Sequence, residues 1–178
     1  MILKLNVNFL TCINSILFTL SLCINCYSQE NNSINERYFK NMKQITFGGD
    51  NAESYFSFDG KYFVFQSNNK KWGLHCDQIF LFDLSTNPDT SYKPKMLSTG
   101  KGRTTCSYFL PDNNHVLFAS THLGSSDCPP NPVHSPGGKY LWPIYKDYDI
   151  FISDLKGNIT KQLTTSVGYD AEAVVSPI

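Results

Sequence analysis

Cys76, Cys106 and Cys128, with His75, His122 and His134, are the residues of this chain best equipped for chemistry. Thiolate and imidazole together can hold a soft metal ion, and two thiols in an oxidising compartment can cross-link. The spacing lacks a Cys-x₂-Cys pair, so a disulfide is the expectation and a metal site is not. It joins Cys128 to Cys106 or to Cys76, and spacing alone cannot choose between them. Carboxylates pair up at Asp50 and Glu53, and again at Asp170 and Glu172. Such pairs can move protons or bind calcium; here they are expected to satisfy backbone donors in turns and to make contacts between neighbouring sheet units. Arg103, in Gly100-Lys101-Gly102-Arg103, could meet an anion, but the loop lacks the Lys-Ser/Thr of a phosphate loop, and a solvated charge is expected. The chain has neither a Gly-x-Ser-x-Gly nucleophile elbow nor a His-Glu-x-x-His zinc helix. No catalytic residue and no cofactor is therefore assigned.

The most individual stretch is the long insertion from Thr121 to Asp147. It is rich in proline and glycine, then carries Tyr140, Trp142 and Tyr145. Proline limits chain entropy, and large aromatics dominate interfaces, so a binding loop anchored by these three is one reading. The other is that Trp142 plugs the adjoining sheet. Asn31-Asn32-Ser33 and Asn158-Ile159-Thr160 match glycosylation acceptors, which matters only in a eukaryotic host.

The elements that would position these residues follow from the whole sequence. The 178 residues carry 15 Lys+Arg against 15 Asp+Glu, with 41% hydrophobic and 14% aromatic residues. Charge balance excludes the basic footprint of a general nucleic-acid binder, and the aromatic load excludes disorder. Residues 1–28 read as a secretory signal: Lys4 supplies the positive start, an apolar stretch follows, and Cys26-Tyr27-Ser28 offers small residues for cleavage. Three of the six cysteines leave with it. Interruptions at Asn8 and Asn14 weaken the alternative of a membrane span. Residues 29–42 are a polar leader, and from Lys43 the pattern is that of β-strands.

Internal repetition organises that β region. Lys43-Gln44-Ile45-Thr46 leads into Phe56-Ser57-Phe58-Asp59-Gly60-Lys61 and an apolar strand. Lys95-Met96-Leu97-Ser98 leads likewise into Phe109-Leu110-Pro111-Asp112-Asn113, and Lys161-Gln162-Leu163-Thr164 into Val175-Ser176-Pro177. Asp59-Gly60 is a strong hairpin turn, and Asn113 tolerates the left-handed conformation that the glycine position needs. Each full copy predicts four short strands. A sheet unit recurring in this way buries both faces only by stacking on its neighbours.

These motifs resemble the TolB-like, WD40-like (PD40) β-propeller repeat. The resemblance implies an all-β fold with blades over 43–94 and 95–160 and a partial blade over 161–178, about two and a half blades where propellers close with 4–8. It therefore reads as an incomplete propeller, needing further blades or self-association to close. It also implies that the loops over 46–53, 68–77, 99–105 and 121–147 share one rim, making Tyr140, Trp142, Tyr145, Arg103, Asp50 and Glu53 the candidate binding residues. The function implied is an exported, non-catalytic module of the bacterial envelope, periplasmic or secreted, that takes a protein or peptide partner. An N-terminal propeller of an exported hydrolase, or a truncated remnant, is the alternative.

Overall fold

The computed structural model describes residues 38–132, 137–138 and 141–176. The expected signal segment, Tyr140 and His134 lie outside them. From Gln44 onward the chain forms one compact unit. Its strands are β1 (Asp50–Phe56), β2 (Tyr62–Asn68), β3 (Gln78–Asp83), β4 (Lys95–Met96), β5 (Thr104–Phe109), β6 (His115–Ser120), β7 (Asp147–Asp154), β8 (Ile159–Gln162) and β9 (Gly168–Tyr169). Among the described residues there is no α-helix, only a short 3₁₀ turn at Lys70–Trp72, and no helix long and apolar enough to cross a membrane.

The fold is all-β, with two antiparallel sheets ordered β1-β2-β3-β4 and β5-β6-β7-β8; short β9 runs parallel to the start of β7. The hairpin turns are where the sequence puts them. Gly60 has φ 68° and Asn113 has φ 56°, so asparagine does take the left-handed conformation that glycine takes in the first copy. Ser57 and Asp59 brace the first turn through the Ser57 hydroxyl, which donates to Asp59 Oδ1 at 2.7 Å.

The two β-ladders are built alike. Phe56 lies opposite Phe63 and Tyr55 opposite Val64, while Phe109 lies opposite Val116 and Tyr108 opposite Leu117. Each first strand slips register at the same place, between Ala52 and Tyr55 and between Thr105 and Tyr108. The residue inside each bulge, Glu53 or Cys106, has a positive φ, and so does Glu172 farther along. Non-glycine residues seldom adopt that conformation, so its recurrence in register is structural evidence of repetition independent of the motifs.

Both faces of both sheets are apolar. Val64, Ile79, Leu81 and Leu97 of the first sheet pack on Phe109, Val116, Phe118 and Phe151 of the second. The first sheet's other face carries Phe63, Phe65, Phe80 and Phe82, with Trp72 and Tyr92 against them. The second sheet's other face, around Leu117 and Ile150, is covered by Tyr169, Ala171, Ala173 and Val175 of the C-terminal segment.

Candidate functional site

A cavity of ≈ 370 Å³ opens where the start of β5, the β2–β3 loop and the long insertion meet. Its position is set by a buried glutamine. The Gln78 side chain donates to the Gly102 carbonyl at 2.9 Å and accepts from the Ser98 hydroxyl at 2.7 Å and the Gly100 amide at 3.0 Å. Gly102 has φ 59°, and a Cβ there would come within 2.7 Å of Thr121 Oγ1 and 2.9 Å of the His122 amide nitrogen. Glycine is therefore required for the loop to lie this close to the root of the insertion. Thr104 then clips β5 to the other sheet, its amide and hydroxyl both donating to the Asp77 carbonyl at 3.0 Å.

Arg103 is consequently turned inward. Its side chain is only 16% exposed, with Nε 3.7 Å from Asp77 Oδ2. Nη2 donates to Asn131 Oδ1 at 2.7 Å, and the guanidinium sits 5.9 Å from the Tyr145 ring centroid. The expectation of a solvated loop charge is thus corrected: the side chain fastens the insertion to the sheets. Tyr145 adds a second tie by donating to the Pro130 carbonyl at 2.5 Å. Trp142 donates from Nε1 to the Tyr169 hydroxyl at 2.8 Å and is 47% exposed. It is not a buried plug; its ring forms part of the cavity wall.

The cysteines divide between two neighbouring clefts. Cys76 of the β2–β3 loop is bonded to Cys128 of the insertion, their Cα atoms 5.6 Å apart, and Cys106 is a free, half-buried thiol. Of the two pairings open in the sequence, Cys106–Cys128 is excluded and Cys76–Cys128 is present. Burial raises the Cys106 thiol above its ordinary pKa, which makes it a poor nucleophile at neutral pH. His75 borders the disulfide, whereas His122 packs at a tilt against Phe151 with centroids 4.4 Å apart and accepts or donates at Ser120 Oγ at 2.9 Å. Among the described residues no His, Cys, Asp and Glu group that could hold a metal forms.

Asp50, Arg103, Trp142 and Tyr145 of the expected rim line the one cavity, while Glu53 does not. The bulge directs Glu53 into a separate cleft of ≈ 280 Å³ with Cys106 and Glu172, where its carboxylate accepts from the Tyr55 hydroxyl at 3.0 Å. Of the two expected roles, Glu53 takes the contact between the sheets, beside Cys106 and Tyr108, and neither it nor Asp50 satisfies a backbone donor among the described residues. The backbone-donor role falls to Asp59, Asp83, Asp89, Asp112 and Asp154, each accepting from an amide two to four residues on. Compared with protein-family models, curated proteins and solved structures, the chain matches none.

Sequence reading missed two titratable residues of this cavity, Asp77 and Tyr148. Asp77 is half-buried between the sheets, and burial raises its carboxyl above the ordinary value against the pull of Arg103. Tyr148, nearly fully buried at the back, has its phenol pushed far up by the same desolvation. Only the adjacency of Asp77 to Cys76 could have marked it. The arrangement can grip a ligand between aromatic side chains and charged groups; among the described residues it presents no nucleophile paired with a base.

Proposed function

We propose that the two sheets are consecutive blades of a β-propeller of the TolB-like kind, and that the chain is an exported, non-catalytic binding module. Its rim cavity takes a peptide segment of another envelope protein. The observation that carries this reading is the convergence of an aromatic wall from the insertion, Trp142 and Tyr145, with Asp50, Asp77 and Arg103 from the sheet loops. Aromatic anchors beside fixed charges are what a partner's side chain needs for burial and orientation. The recurring bulge supports the blade assignment, since consecutive blades repeat both ladder and irregularity. The Cys76–Cys128 disulfide supports export, because such cross-links persist in oxidising compartments.

The test is selection of peptides from a displayed random library on the folded protein. Selected peptides should lose affinity by roughly tenfold or more when Trp142 and Tyr145 are both changed to alanine, as expected of aromatic anchors. Peptides that bind the double variant undiminished would place the binding surface elsewhere.

A further inference from the structure

We propose that the rim cavity selects a cationic side chain, the ammonium of lysine or the guanidinium of arginine, on the peptide that it binds. This rests on the peptide-binding reading above and adds the charge of the group recognised.

Among the described residues the cavity holds two carboxylates, Asp50 and Asp77, and one cation, Arg103. Arg103 is already committed. It faces Asp77 at 3.7 Å, spends a guanidinium hydrogen on Asn131 at 2.7 Å, and lies against the Tyr145 ring. Its charge answers Asp77 and its geometry holds the insertion in place. Asp50 is different. It stands exposed at the first position of β1, and no hydrogen-bond or ion-pair partner of its carboxylate occurs among the described residues. Among the described residues, one carboxylate of the cavity is therefore left without a counter-charge.

The walls reinforce that polarity. Trp142, Tyr145 and Tyr148 line the same space, and the faces of such rings attract cations and repel anions. A long basic side chain also has an apolar stem to lay along them. A carboxylate guest would instead bring a third anion toward Asp50 and Asp77 with Arg103 pinned. Burial raises the Asp77 carboxyl against the pull of Arg103, and the Asp50 charge adds a smaller push in the same direction as burial.

Four peptides of the form acetyl-Ala-Ala-Xaa-Ala-Ala-amide, with arginine, lysine, norleucine or glutamate at the centre, test this on the whole protein. Binding is read from the NMR shift of the Trp142 indole N–H. The arginine and lysine peptides should bind about tenfold tighter than norleucine, the gain expected from one ring-faced, partly desolvated cation. Asp50→Asn should bring them to within about twofold of norleucine, because its neutral amide removes the unanswered charge. Since Asp50 is exposed on an edge strand, circular dichroism of the variant should be unchanged. A glutamate peptide that binds as well as arginine, or a preference that survives Asp50→Asn, overturns the proposal. Equal shifts by all four peptides would overturn charge selection and leave the peptide-binding reading standing. No shift by any would overturn both.

Discussion

Asp77 is held between two opposing forces. Burial favours its neutral form and Arg103 favours its ionised form, and burial prevails, so the folded-state pKa lies above the unfolded one. Between those two values the folded chain binds more protons than the unfolded chain, so the contribution of Asp77 to stability falls as pH rises through the window. Asp77→Asn removes that titration. The difference in urea midpoint between the variant and the wild type should therefore move in the variant's favour as pH rises from about 4 toward 7. The facing groups, Arg103, Asp50, Tyr145 and Tyr148, remain in place. A shift the other way would mean that the Arg103 pair outweighs desolvation. At this scale the cavity was partly legible in the sequence. Trp142, Tyr145, Arg103 and Asp50 stood out by residue type and place in loops. Asp77 did not, because its importance comes from the Thr104 clip that buries it, a contact between residues 27 apart. Cysteine pairing was illegible for a similar reason: closeness of Cys76 to Cys128 is created by the fold of the insertion.

Among the elements, the first strands show how one residue type acquires two energies. Phe56 and Phe109 hold the same position on equivalent ladders, yet Phe56 is 68% exposed and Phe109 is fully buried. The second sheet lies against the first through Phe109, whereas no described element covers Phe56 in the same way. Phe109→Ala should cost about 3–5 kcal/mol through lost burial and a residual cavity, and Phe56→Ala well under 1 kcal/mol. Denaturant midpoints of the two variants check this. Similar losses at both sites would mean that the outer face of the first sheet is covered in solution. The turns and apolar strands behind this comparison could be read directly from Asp59-Gly60, Asp112-Asn113 and the runs that follow. The bulges could not. Glu53, Cys106 and Glu172 share a backbone conformation without sharing a side-chain type, so no residue pattern announces them.

For the molecule as a whole, the two sheets should behave as one cooperative unit. They share a single core, Val64 and Leu81 from one against Phe118 and Phe151 from the other, and neither sheet buries both faces without its neighbour. The Cys76–Cys128 bond adds a covalent tie across the same junction, joining residues with a sequence separation of 52. A cross-link of that span removes much of the freedom of the unfolded chain, so replacing both cysteines by alanine should lower stability by roughly 2–4 kcal/mol. It should also loosen the cavity, because Cys128 Sγ lies 3.7 Å from Arg103 Nη2 and the same segment carries Asn131 and Tyr145. Two readouts then separate the effects. Urea unfolding followed by far-ultraviolet dichroism and by tryptophan fluorescence should give one coincident transition at a lower midpoint, since the shared core remains. Peptide affinity at the cavity should fall even in buffer where the variant is fully folded, since the insertion has lost one of its anchors. Separate transitions for the two probes would show that the disulfide, not the packed face between the sheets, makes the fold cooperative, and unchanged affinity would assign the ordering of the insertion to Arg103 and Tyr145 alone.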